Sequence, residues 1–275
     1  MNWLSRLIRY VLKFSAFTTF AVLFFIIAYI LARGIPYLKP SLFALEYTTE
    51  NVSLLPAIIT TLMMTVLALL ISAPIGIFTG FYLVEYAKSG NKLVEIIRIT
   101  TETLSGIPSI VYGLFGLLFF VTTLGWGFSI IAGAFTLAIM ILPLIIRSTE
   151  EALLAVPDLL REASYGLGAG KLRTIFRIVL PSAMPGILAG IILAIGRIVG
   201  ETAALIYTAG TVAKIPENLF ASGRTLAIHM YVLSSEGLYT NQAYATAVVL
   251  LIVVIGINAL STTISKKLTK GNIDG

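Results

Sequence analysis

The chain has 275 residues, 58% of them hydrophobic and only 12% charged, with a net charge of +6 and a mean hydropathy of +0.97. Soluble globular chains carry about 25% charged residues, so this composition excludes a water-soluble domain as well as disorder, collagen and coiled coil. With no cysteine, disulfides and thiolate metal sites are excluded too, and an integral membrane protein remains.

A helix that crosses the hydrocarbon core needs about 20 apolar residues. The first uncharged run covers residues 14–32, between Lys13 and Arg33, longer than a signal-peptide core of about 7–15 residues. A second, 51–84, suffices for a tilted span with an interfacial lead-in. Residues 103–146 are too many for one helix, and Gly125-Trp126-Gly127 divides them into a third and a fourth span. A fifth covers 183–209, interrupted by Arg197 and Glu201, and a sixth covers 243–264. The expected fold is therefore all-α and polytopic, with six transmembrane helices.

An even count puts both termini on one side. With the N terminus in the cytoplasm, the inner segments hold fourteen lysines and arginines: Arg6, Arg9, Lys13, Lys88, Lys92, Arg98, Arg147, Arg161, Lys171, Arg173, Arg177, Lys266, Lys267 and Lys270. The outer segments hold Arg33, Lys39, Lys214 and Arg224. This imbalance obeys the positive-inside rule, so no nucleic acid is needed to explain the basic charge. The chain divides into residues 1–52 (N-terminal segment, first span and external loop), a membrane domain over 53–264 with a cytoplasmic loop at 147–182, and a tail at 265–275. Its expected place is the cell inner (plasma) membrane.

The cytoplasmic loop opens at Val156-Pro157-Asp158, where proline suits a first helical position and Asp158 complements the helix dipole. Leu159, Leu160, Ala163 and Leu167 recur at helical spacing, and Gly166, Gly168 and Gly170 end that helix. A second amphipathic piece covers 172–180, with Ile175, Phe176 and Val179 apolar, and Pro181 stops it. Periodicity alone serves a helix lying on lipid headgroups as well as one docking on another protein. Gly168-Ala169-Gly170-Lys171 resembles the end of a phosphate-binding loop, but Tyr165 and Leu172 stand where that motif needs Gly and Ser or Thr. Asn51-Val52-Ser53 fits a glycosylation triplet and stays unassigned.

Arg197 and Glu201 lie inside an apolar span, where a charge costs about 2.5–3.5 kcal/mol. Spaced i, i+4, they share one helix face. Two readings stand: a self-neutralising pair that packs helices, or a guanidinium facing an internal pathway and oriented by Glu201. Arginine's planar fork suits a tetrahedral oxyanion. Gly186, Gly190, Gly196 and Gly200 form two small-xxx-small pairs that permit close helix approach, and Thr202 and Thr208 add hydroxyls. Arg147, at the end of the fourth span, reads from the residues alone as an interfacial anchor. The break at Ser105-Gly106-Ile107-Pro108-Ser109 exposes backbone groups that protein or water must satisfy, so it suits a cavity wall. Pro74 and Pro143 are expected to kink their spans. The single His229, in the external segment, reads as structural or interfacial, and no metal site is expected.

These residues carry a family resemblance. Glu162-Ala163-Ser164, then Gly168, then Ile178-Val179-Leu180-Pro181 resembles the EAA loop of ABC importer permeases, departing at Ser164, where the pattern has a second alanine. The resemblance implies a coupling helix that docks in a groove of a separate ATPase subunit, through Asp158, Leu160, Glu162, Ala163, Gly168, Leu180 and Pro181. The run from Gly106 through Ile107-Pro108-Ser109-Ile110-Val111-Tyr112-Gly113-Leu114-Phe115 to Gly116 is similar to the third-span signature of phosphate importer permeases. Arg197-Ile198-Val199-Gly200-Glu201-Thr202 resembles their Arg-x-x-Gly-Glu-Thr segment. Pro56-Ala57-Ile58-Ile59-Thr60-Thr61 and Val84-Glu85-Tyr86-Ala87 point to the PstA type. The similarity covers about residues 50–264. Ala204 stands where the family often has a proline.

The resemblance implies the MetI-like fold of a type I importer permease. Its substrate would be inorganic phosphate, and its companions a PstC-type second permease, two ATPase subunits and an extracytoplasmic phosphate-binding protein meeting residues 214–239. It implies no enzyme activity and no cofactor in this chain, ATP and Mg being bound by the ATPase subunits. The resemblance makes Arg147 and Arg197 the pathway arginines, and the residues themselves add Glu201, Thr202, Ser105 and Ser109 to the expected pathway. Two alternatives stay open: a permease for sulfate or molybdate, and an ATP-independent secondary transporter using Arg197 and Glu201 for proton coupling. A membrane-embedded hydrolase is disfavoured, since the spans hold no histidine or cysteine.

Overall fold

The computed structural model describes residues 3–87 and 90–270, with side chains to residue 263 except those of residues 4 and 6. The basic groups of Arg6, Lys88, Lys266, Lys267 and Lys270, counted above, lie outside it. The described residues fold as helices and loops. Five apolar runs form long helices: α1 (Trp3–Gly34), α2 (Leu55–Phe81), α5 (Ile130–Leu154), α8 (Leu180–Val199) and α11 (Thr240–Lys270). The remaining span, third in order, is broken.

That span consists of α3 (Lys92–Ser105) and α4 (Ser109–Gly116), the latter prolonged by a π-helical turn to Thr123. The two arms meet at 103°. Pro108 explains the break: it has no N–H to donate and drives Ile107 out of the helical region. α3 carries Lys92, Glu95, Arg98 and Glu102, so the apolar arm begins at Ser109, six residues later than the uncharged run suggested. Gly125 and Gly127, at φ 66° and 63°, turn the chain into α5 as expected.

The fifth span corrects the reading of Pro181. The segment α7 (Lys171–Thr174), a π-helical turn (Ile175–Val179) and α8 run on as one helix from Lys171 to Val199. Proline forbids a regular i−4 bond and clashes with that carbonyl; the wider π turn just before it relaxes both demands. The second amphipathic piece of the loop is thus the first part of this span, and α6 (Asp158–Gly166) is the one separate loop helix. Beyond Val199 come the single turn α9 (Ala203–Ile206) and α10 (Leu226–Glu236). α10 is capped at its start by Thr225 and at its end by Gly237 in the left-handed region.

α2, α5 and α8 form the core, where Met64, Leu137, Met140, Ile141, Ile145 and Ile198 are buried. Small residues set their spacing. Gly76 and Gly80 of α2 face Ile145 and Thr149, while Gly186 and Gly190 of α8 face Ala152 and Ser148, all on α5. Gly196 and Gly200, the second expected pair, meet no other helix. Hydroxyls inside the spans, such as Thr61, Thr65 and Ser72, donate to carbonyls four residues back, as a medium without water requires. α1 is exposed along its length and joins the rest at its end, where Gly34 meets α11 and Tyr29 pairs with Tyr244.

Candidate functional site

Arg197 stands in the last turn of α8, where a cation complements the helix dipole. It lines a cavity of about 550 Å³ with Leu144 of α5, Ala189, Ile192, Leu193 and Gly196 of α8, and Asn258 of α11. Leu144 and Asn258 put this cavity near the middle of their helices. Arg197 makes no hydrogen bond or ion pair with any described residue, although its charge reaches Tyr112 on α4. The Asn258 Oδ1 is enclosed and has no donor. This residue was missed in the sequence, where a lone amide inside the sixth apolar run was the available signal.

Glu201 does not pair with Arg197. The helix ends at Val199, so the i, i+4 geometry is lost, and the buried Glu201 Oε1 instead accepts from the Ala204 N–H at 3.0 Å. A carboxylate at the start of α9 satisfies an orphan donor, so Glu201 shapes the break and leaves the guanidinium unmatched. Thr202, half-buried, follows it in the break. Across from α9, Gly113 and Gly116 of α4 exist for close approach: a Cβ at Gly113 would lie 2.8 Å from Ala204 Cα, and one at Gly116 would collide with Thr136 and Thr208. Ser109 lies one turn before Tyr112 and is half-buried, whereas Ser105 is exposed and donates to Thr101 O.

Arg147 occupies a different cavity, of about 270 Å³, with Arg98, Glu102, Glu150 and Glu151 among its walls. Its Nε donates to Glu151 at 2.9 Å, and Arg98 pairs with Glu150 at 2.6 Å. Arg147 and Arg197 therefore do not share a cavity within this chain. The carboxylates beside Arg147 already match its charge.

The loop helix α6 presents Asp158, Leu160, Glu162 and Ala163 to solvent. Gly168, at φ 80°, makes the turn towards α7. Leu180 and Pro181 are half-buried, with Leu180 packed against a cluster holding Leu153 and Val156. Ser164, the departure from the EAA pattern, is buried, and its hydroxyl bonds that of Thr174 at 2.8 Å. Sequence reading also missed Arg161. Its guanidinium meets Glu85, 76 residues away in the π-helical turn (Tyr82–Tyr86) that prolongs α2, and the carbonyls of Leu153 and Val156.

At the opposite end of the molecule, Asn51 is an internal tie: its amide donates to Glu46 O and accepts from the N–H groups of Thr48 and Ser53. Nearby, Arg224 is buried over the Tyr47 ring at 4.7 Å, and His229, also buried, meets the edge of the same ring. Burial, with the Arg224 charge second, presses the His229 imidazole from 6.5 to about 3, outweighing the Val52 backbone. The folded value lies below the unfolded one, so the unfolded chain binds the extra proton between them. This contribution to stability is complete above pH 6.5 and is lost by up to about 1.4 kcal/mol per pH unit as pH falls towards 3. The melting temperature of the wild type should therefore fall on acidification through that window more steeply than that of His229→Gln. Equal slopes would disprove the assignment.

An all-helical membrane domain, broken in two spans around a solitary guanidinium and carrying a polar-faced helix on one end, is the architecture of a transporter's membrane subunit. Solved structures share the fold. An inward-facing MetNI methionine ABC transporter matches with a TM-score of 0.61 at 21% identity, over 78% of this chain and 93% of that one. A bacterial alginate ABC transporter in complex with its pentasaccharide-bound periplasmic protein matches at 0.67 and 16%, over 98% and 99%. The chain belongs to the binding-protein-dependent transport system inner membrane component family, whose model matches residues 72–271. It is thus a multi-pass inner-membrane protein. Among its relatives, the probable ABC transporter permease YqgI of Bacillus subtilis is 40% identical over 74% of this chain and 76% of its own. The phosphate transport system permease PstA of Haemophilus influenzae is 34% identical over 83% and 82%, and that of Pasteurella multocida 43% over 66% and 64%.

Proposed function

We propose that this chain is a transmembrane permease subunit of an ATP-driven phosphate importer. The observation that carries this reading is Arg197: an unmatched, half-buried guanidinium lining an open cavity at mid-height of the spans of a chain related to phosphate permeases. In a low-dielectric site, a fixed fork of donors without a carboxylate partner favours a tetrahedral oxyanion over water. Thr202 follows the break after α8, Ser109 opens α4 and Ser105 precedes the break before it; these hydroxyls would line the route, and Arg147 would be the second cation the anion meets. Both termini and α6 face the cytoplasm, as the basic residues imply.

A homologous second permease completes the pathway, two ATPase subunits bind ATP and Mg, and an extracytoplasmic phosphate-binding protein delivers the anion. This chain needs no cofactor. The exposed face of α6 docks on an ATPase, whose closure moves the spans between outward and inward access.

The test is labelled phosphate uptake by vesicles holding both permeases and the ATPase, supplied with the binding protein, with sulfate and molybdate as competitors. Uptake that requires ATP and this chain is expected; preference for a competitor would move the substrate, and uptake indifferent to ATP would refute the loop's role. Glu162 makes no bond with any described residue, so Glu162→Lys should leave the fold intact. We expect that variant to lose most of its ATPase in a pull-down, and full retention would count against docking.

A further inference from the structure

We infer that Glu85 and Arg161 form the clamp by which the coupling loop moves α2, an inference that rests on the reading of α6 as the ATPase-docking helix. One guanidinium joins three segments. Its Nε and Nη2 donate to Glu85 Oε1 at 3.1 and 3.0 Å, in the π-helical turn that prolongs α2. Its Nη2 and Nη1 donate to the carbonyls of Leu153 and Val156 at 2.9 and 2.8 Å, where α5 ends, while Arg161 itself belongs to α6. A fourth segment joins at the same point. The Lys171 ammonium, which starts the fifth span, donates to the Glu85 carbonyl and lies 4.7 Å over the Tyr86 ring.

This pair differs from the other ion pairs. The Arg161 and Glu85 side chains are 13% and 6% exposed, against 58% and 65% for Arg147 and Glu151. A solvated pair yields under load because water replaces each lost bond. An enclosed, charge-assisted one has no such substitute: on separation the one carboxylate Arg161 keeps is the exposed Asp158, at 3.1 Å, and the buried Glu85 carboxylate is left unmatched. The local fold of α6 does not need Glu85, since Ser164 and Thr174 already tie that helix to α7. What Glu85 adds is a stiff link to α2, which packs along α5 and α8 and so leads to the Arg197 cavity. Glu85 and Arg161 are positioning residues: they touch no substrate and fix how far α2 follows α6.

The experiment uses the assembled transporter in vesicles and reads three quantities: ATPase capture, ATP hydrolysis and phosphate carried per ATP. Glu85→Ala should keep capture and hydrolysis but lower phosphate per ATP about tenfold. Arg161→Lys, which keeps the charge but replaces the planar fork that spans Glu85 and two carbonyls by a single point of charge, should do the same. Glu85→Gln, whose amide oxygen still accepts, should recover part of the loss. Unchanged phosphate per ATP in both Glu85→Ala and Arg161→Lys would overturn the clamp, as would loss of ATPase capture in Glu85→Ala, which would make the pair a fold element only. Wild-type uptake indifferent to ATP would instead refute the docking reading, and the clamp with it.

Discussion

Arg197→Ala should insert, fold and assemble, yet lose phosphate uptake by about 100-fold or more. The guanidinium has no partner among the described residues, so its removal breaks no internal contact. It also relieves the cost of a charge in the spans, about 2.5–3.5 kcal/mol, so stability in detergent should hold or rise. Transport moves the other way. Removing one side of a desolvated charge contact costs about 2–5 kcal/mol, and each 1.4 kcal/mol is a factor of ten. Arg197→Lys should fall between, keeping a positive point and losing the fork. Opposite signs for stability and uptake separate a pathway role from a packing role. Wild-type uptake by Arg197→Ala would end the pathway assignment.

The second large effect is on folding. Gly113→Leu should fail to yield a stable chain, and Gly113→Ala should lose about 1–3 kcal/mol, the usual range for overpacking. A Cβ there faces Ala204 Cα at 2.8 Å and the Ala203 and Ala204 carbonyls at 3.1 Å. These are backbone atoms held by the Glu201 cap, so no side chain can turn aside. Gly196→Ala, where a Cβ meets nothing, is the matched control and should melt at or slightly above the wild type, since an unopposed alanine favours the helix. Thermal unfolding in detergent compares them. A Gly113→Ala chain as stable as the control would show that α4 and α9 can part without cost.

Both predictions depend on features only partly legible in the sequence. Unbroken apolar runs placed α1, α2, α5 and α11, because a span needs little more than length and an absence of charge. The turn at Gly125-Trp126-Gly127 was equally plain, since two left-handed residues call for glycine. The Arg197–Glu201 pairing was not: spacing argues for one face only while the helix continues, and Gly200 ends it. Pro181 misled for the converse reason, since a π turn has no signature in hydrophobic period and lets a helix pass through a proline. The motif residues of the loop could be named, yet Glu85 could not be matched with Arg161, because nothing local relates positions 76 apart. Asn258 and the glycines facing α9 needed the packed structure for the same reason.

The bent third span has a consequence for how the protein reaches its membrane. Its apolar arm, Ser109–Thr123, has 15 residues, roughly 22 Å of regular helix against a hydrocarbon core of about 30 Å. Emerging alone from the ribosome, such a stub is too short to partition stably into lipid. α5 follows after a glycine turn and is fully long enough, so the two must enter the bilayer together as a hairpin.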